Sequence, residues 1–159
     1  MKFLVQVICV TEAAERRQLV FEIERDNLAM ETLGLSLVES KSLLQGVQEF
    51  VVAEQVADDL ERRRPCPDCC KRHTSKGQGS IEVKTVFGTV EVPNPRWHRC
   101  SCQSIGPSTF RPTKRCLSGQ TSPELLYLET KWASLIPYAK VVELLKDVLP
   151  VGRHLDVAA

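Results

Sequence analysis

The chain has 159 residues, of which 43 % are hydrophobic and 26 % charged, and its formal net charge is +1. This composition suits a soluble globular protein of one or two small domains, and it excludes a low-complexity chain. The near-neutral total conceals a segregation. Residues 1–60 carry 5 basic and 11 acidic side chains, residues 61–116 carry 12 and 4, and residues 117–159 carry 4 and 5.

Met1 to Val10 has the apolar character of a secretion signal. However, Gln6 interrupts it, Thr11-Glu12 follows directly, and no small-residue cleavage site appears. Ile8 before Cys9 also spoils a lipoprotein pattern. The alternation predicts a strand. No apolar run reaches transmembrane length, so the expected location is the cytoplasm, with no membrane contact. Residues 12–33 read as a helix, with Leu19, Val20, Ile23 and Leu28 as its stripe and Gly34 as its stop. A stronger helix runs from about Ser42 to Arg64, because Leu43, Leu44, Val47, Phe50, Val51, Ala57 and Leu60 recur at helical spacing. Such a stripe is a core face or a homodimer contact.

Pro65 leads into Cys66-Pro67-Asp68-Cys69. Ile81, Val83 and Thr85 then alternate with polar neighbours, Phe87-Gly88-Thr89 turns the chain, and Val90-Glu91-Val92 returns, which predicts a β-hairpin. Pro93 and Pro95 end the return strand before Arg96-Trp97-His98-Arg99 enters Cys100-Ser101-Cys102. Residues 103–119 read as a basic, proline-containing loop. Thr121 or Ser122 caps the next helix, with Pro123 in its first turn and Glu124 at the positive end of its dipole. Leu125, Leu128, Trp132, Leu135 and Ile136 would line one face. Pro137 breaks the helix, and Tyr138–Leu149 resumes with Val141, Leu144, Leu145 and Val148 apolar. A helix-turn-helix and an ordinary helical hairpin share this signature. The expected fold is therefore α+β in three parts: an N-terminal strand and helices over 1–64, a zinc-ribbon-like module over 65–116, and a helical segment over 117–159.

The seven cysteines are an odd number without a secretion signal, which argues against a secreted disulfide scaffold. Cys66, Cys69, Cys100 and Cys102 form two close pairs across a hairpin. A tetrahedral zinc needs four soft ligands from two such turns, and a site filled by four thiolates has no open position for catalysis. The metal would be structural and its binding coupled to folding. Cys70 could stand in for Cys69, Cys116 is a second reserve, and His73 or His98 could replace a cysteine. Four cysteines need none of them, and Cys70 and Cys116 are expected to be free thiols. A thioredoxin-like role for Cys66-Pro67-Asp68-Cys69 fits poorly, since the motif follows a helix and enters a loop. Arg62, Arg63, Arg64, Lys71, Arg72, Lys76, Arg96, Arg99, Arg111, Lys114 and Arg115 flank both cysteine pairs. They are the candidate DNA contacts, mainly to phosphates, with Trp97 and Phe110 available to stack on bases. Some of this charge would offset a zinc tetrathiolate.

Three stretches share a resemblance: Leu43-Leu44-Gln45-Gly46-Val47-Gln48; Lys84-Thr85-Val86-Phe87-Gly88-Thr89-Val90-Glu91-Val92 leading to Cys100-Ser101-Cys102; and Thr121-Ser122-Pro123-Glu124-Leu125-Leu126-Tyr127-Leu128-Glu129-Thr130-Lys131. In that order around Cys66-Pro67-Asp68-Cys69, they resemble the N-terminal region of ISKra-family insertion-sequence transposases over roughly residues 41–150. The resemblance implies that the zinc module and following helices bind the DNA of transposon ends, with Cys66, Cys69, Cys100 and Cys102 on the metal. It also implies a downstream DDE catalytic domain, for which residues 117–159 are too few. Glu143, Asp147 and Asp156 do not fit that role. The expectation is thus a truncated transposase without catalytic residues. The alternatives are a zinc-ribbon adaptor that binds protein through helix 42–64, with Val47 and Phe50 in the contact, and a degenerate reading frame without function.

Overall fold

The computed structural model describes residues 1–12, 14–103, 106–117 and 119–151. It is an α+β fold. Its strands are β1 (Lys2–Val10), β2 (Glu15–Glu24), β3 (Ser75–Gly77), β4 (Ser80–Thr85), β5 (Gly88–Pro93), β6 (Arg96–His98) and β7 (Thr109–Phe110). Its helices are α1 (Leu37–Arg63), α2 (Pro123–Ala133) and α3 (Tyr138–Val148). The strands form three sheets, β1-β2, β3-β6-β7 and β4-β5. Two compact units result, one of residues 1–51, 84–90 and 121–159, the other of residues 52–83 and 91–120. The boundaries expected at 64/65 and 116/117 both fall within the second unit. Among the described residues no helix is long and apolar enough to cross a membrane.

In the first unit, the expected helix over 12–33 is replaced by strand β2, antiparallel to β1 with Phe3 opposite Ile23 and Val5 opposite Phe21. Leu19, Phe21 and Ile23 alternate, and Val20, Phe21 and Ile23 are residues that favour a pleated sheet. Pairing with the apolar β1 outweighs the weak helical stripe. The register shifts between Val5 and Gln6, leaving Val20 as the extra residue of a bulge. Gly34 ends no helix; it takes a left-handed φ of +71° in the loop before α1.

That helix starts five residues earlier than the apolar stripe predicts. Ser36 Oγ accepts from the Glu39 N–H (3.2 Å) and Glu39 Oε2 accepts from the Ser36 N–H (2.8 Å), a reciprocal capping box. Arg25 fastens the preceding loop by donating to Glu39 (2.7 Å), to the Thr32 carbonyl (2.9 Å) and to the Gly34 carbonyl (2.9 Å). Phe50 of α1 is buried, so it is a core residue rather than a partner contact, whereas Leu44 and Val51 are exposed.

Ser122 caps α2 by accepting from the Leu125 N–H (3.3 Å), and Pro123 occupies the first turn as its fixed φ allows. The Ser122 N–H in turn donates to the Lys84 carbonyl (2.8 Å). Leu125, Val141, Val142, Leu145 and Val151 form the core, with Val86, Leu128, Ile136, Tyr138 and Leu149 around it. The buried side of α3 is turned from the expected one: Val142 lies inside, while Leu144 and Val148 are exposed. Trp132 in the last turn of α2 and Leu135 just beyond it are exposed as well. The predicted apolar stripe is longer than the surface the core offers it.

Candidate metal centre

The second unit holds the cysteines. Both pairs sit on turns closed by backbone hydrogen bonds. Around the first, the Cys66 N–H donates to the Lys71 carbonyl and the Cys70 N–H to the Cys66 carbonyl, both at 2.9 Å. Pro65 and Arg72 bridge the base of this turn. Cys70 adopts a φ of +59°, the left-handed conformation such a tight turn demands and a non-glycine residue seldom takes. Around the second pair, the Gln103 N–H donates to the Cys100 carbonyl at 3.0 Å. Gln103 Nε2 also donates to Asp68 Oδ2 at 2.8 Å, tying one turn to the other.

The four Sγ atoms of Cys66, Cys69, Cys100 and Cys102 consequently converge, all lying within 4.8 Å of one another. Close approaches are 3.5 Å for Cys66–Cys102, 3.3 Å for Cys69–Cys100 and 3.4 Å for Cys69–Cys102. None of these is a disulfide distance, and all four are free thiols. A tetrahedron with metal–sulfur bonds of about 2.3 Å has edges of about 3.8 Å, close to this spacing. The group could hold a metal ion. Cys70, Cys116, His73 and His98 are not part of it.

The electrostatics agree with that fit. The Cys102 backbone N–H, followed by the Cys69 thiol, holds Cys100 down to about 7. Cys102 is pushed up by its hydrogen bonds with Cys69 and then Cys100. At Cys69 the Lys71 N–H acts downward, yet the bond with Cys100 and burial carry the thiol above its ordinary value. Four thiols this close cannot all ionise beside one another, and a divalent cation removes that obstacle.

The strands flanking the cysteines are β3, β6 and β7, too short to be read from the sequence. The expected hairpin is present as β4-β5, but it forms a separate sheet. Trp97 pairs with Ser75 on one side and Phe110 on the other. Its side chain is only 1 % exposed and packs with Phe110 and His73, at ring separations of 5.9 and 6.2 Å. Stacking of Trp97 on bases is thereby ruled out, because the alternation of β6 turns it inward. Arg64 lies over the Trp97 ring at 5.0 Å. His73, buried beneath, contacts the His98 carbonyl through Nδ1 at 3.0 Å. It is a core histidine, a role the sequence did not indicate.

The other candidate cations fall into groups. Arg62 pairs with Asp58 (2.8 Å), Arg63 with Asp59 (2.7 Å) and Arg72 with Glu61 (2.7 Å). Arg63 also donates to Cys116 Sγ at 2.9 Å. Arg99 donates to the Pro107 carbonyl (3.0 Å) and Arg111 to the Asn94 carbonyl (2.7 Å). Arg96, across β6 from Trp97, is exposed and donates to Thr109 Oγ1 at 2.9 Å. Lys71, Lys76 and Lys114 are exposed and form no ion pair with the described residues. The Arg115 side chain and Asp156 lie outside the described residues.

No family model matches the chain, and no curated protein or solved structure matches it either.

Proposed function

We propose that the unit of residues 52–83 and 91–120 is a zinc-stabilised DNA-binding module. The observation that carries the reading is the convergence of four thiols from two interlocked turns within a segment holding 12 basic and 4 acidic residues between positions 61 and 116. Zinc is the metal this donor set favours, since a closed four-sulfur tetrahedron is its usual structural site. Its role is to fix the turns that carry the strands β3, β6 and β7.

The surface that would meet DNA is narrower than the charge count suggests. Arg62, Arg63 and Arg72 are engaged with carboxylates, and Arg64 covers the Trp97 ring. Among the described side chains, Lys71, Lys76, Arg96, Arg111 and Lys114 remain exposed and outside any ion pair with a carboxylate. Their contacts would be to phosphates, giving a strong salt dependence and little base discrimination. The resemblance of three stretches to ISKra-family transposases names insertion-element ends as the DNA. No cleavage chemistry belongs to this module, because a metal held by four thiolates has no open position.

The test is anisotropy of a labelled duplex against the zinc-loaded chain over a salt series. Binding should weaken with a log–log slope of about −3 to −5 for four or five phosphate contacts. Lys76→Glu with Lys114→Glu should flatten that slope by about 2 units. No salt-dependent binding, or an unchanged slope in the double variant, would refute the reading.

A further inference from the structure

We propose that β1 is a self-association strand. Two copies of this chain pair antiparallel along β1 about a two-fold axis at Gln6, and their two hairpins become one four-stranded sheet.

Three observations converge on this. The first is the free edge. Among the described residues β1 pairs with β2 alone, in a two-stranded sheet, and no strand lies along its other edge. The Arg25 N–H donates to the Met1 carbonyl at 2.8 Å and the Met1 amine to the Arg25 carbonyl at 2.5 Å, so Met1 and Arg25 are a hydrogen-bonded pair. By alternation, the N–H and C=O groups of Leu4, Gln6 and Ile8 then point away from β2.

The second is the absence of edge protection. From Lys2 to Val10 the strand has one charge, at its first residue, and no proline. Protected edges carry charges, prolines or an outward bulge, and here the bulge is on β2. Both faces of β1 are apolar, the pattern of a strand covered on both sides. Yet Leu4, Ile8 and Val10 are 53, 48 and 74 % exposed.

The third observation selects a second copy as the occupant. The run Phe3-Leu4-Val5-Gln6-Val7-Ile8-Cys9 is nearly palindromic in chemistry about Gln6. An isologous pairing opposes residue i to j and j to i. Centred here, it sets Val5 against Val7, Leu4 against Ile8, Phe3 against Cys9 and Gln6 against itself. Like meets like in size, and no charge faces its own kind. Phe3, Leu4, Ile8 and Val10, all exposed on β1 itself, supply the apolar side chains that this pairing brings together.

The experiment uses the full, metal-loaded chain carrying Cys9→Ser, Cys70→Ser and Cys116→Ser, to which Gln6→Cys or Leu4→Cys is added. At the axis, facing Cα atoms lie about 5.5 Å apart, inside the disulfide range. Two copies of residue 4 are about 14 Å apart, outside it. Under mild oxidation Gln6→Cys should therefore give the covalent dimer at least about tenfold faster than Leu4→Cys. Sedimentation of the unmodified chain should show a concentration-dependent dimer. Ile8→Lys should weaken that dimer at least about tenfold while metal content is retained.

A chain that stays monomeric overturns the proposal. So does a dimer in which Gln6→Cys fails to cross-link or Leu4→Cys does so equally well. A dimer broken by Leu44→Asp but not by Ile8→Lys assigns the contact to α1 instead. Should Ile8→Lys not fold, the cross-linking comparison decides alone.

Discussion

Gly46 lies mid-way along α1, where replacing glycine by alanine ordinarily stabilises a helix by about 1 kcal/mol. Here the sign should reverse. A Cβ at position 46 would stand 2.7 Å from the Val20 carbonyl oxygen and 3.3 Å from the Val20 Cβ. Ordinary contact begins near 3.4 Å, so β2 and α1 must separate by several tenths of an ångström. The obstacle is backbone, at the bulge of a paired strand, and cannot swing aside as a side-chain end would. Overpacking of this kind costs about 1–3 kcal/mol. Set against the propensity gain, Gly46→Ala should lose about 1 kcal/mol, a fall of about 2–4 °C in Tm for a chain of this size. The assay is thermal and urea unfolding of the metal-loaded protein, with Ser42→Ala at an exposed site of α1 as the propensity control. Ser42→Ala should gain about 0.5 kcal/mol. If Gly46→Ala raises the midpoint as Ser42→Ala does, the close approach of β2 to α1 is wrong.

Leu125→Ala should cost about 2–5 kcal/mol in urea unfolding, since Leu125 is fully buried in the core and the site cannot collapse without moving α3. A loss under 1 kcal/mol would mean that this core is not packed as described. Glu39 has a pH signature. Its hydrogen bond with Arg25, followed by the Ser36 N–H, holds its carboxyl down to about 2 from an ordinary 4.5. A depressed folded-state value contributes stability that is complete above about 4.5 and lost as pH falls towards 2. The Tm gap between wild type and Glu39→Gln should therefore be widest above pH 5 and close as pH falls through that window; a gap that stays constant from pH 6 to 2.5 contradicts the capping box. Thr113→Val should cost about 1–3 kcal/mol, because Thr113 Oγ1 donates to Asn94 Oδ1 at 2.6 Å in a buried pair and the amide oxygen would be left unsatisfied. Neutral unfolding data would show that the pair is open to water.

Much of the candidate site was legible because metal ligation imposes spacing. Cys66, Cys69, Cys100 and Cys102 announce two turns, and the four thiols meet. Strand β1, the hairpin β4-β5 and the capped start of α2 were also legible, each from a local signal. Strand β2 was not, for its identity depends on pairing with β1, and Leu19, Val20 and Ile23 mimic a helical stripe at short range. The early start of α1 was readable: Ser36 and Glu39 have capping-box spacing, but the apolar stripe drew attention to residue 42. Strands β6 and β7 have three and two residues, too few to show a period. The pairing of Arg62 with Asp58 and Arg63 with Asp59 follows from their four-residue spacing on a helix, whereas Arg72 with Glu61 does not. Nor could a linear reading bury Trp97 between His73 and Phe110.

The most direct test of the metal centre is native mass spectrometry of the zinc-titrated chain, combined with circular dichroism before and after chelation. The account predicts one metal ion per chain, its loss in Cys66→Ser and Cys100→Ser but not in Cys70→Ser or Cys116→Ser, and unfolding of the cysteine-bearing unit on chelation. A chain that takes up no metal and keeps its fold in chelator would contradict it.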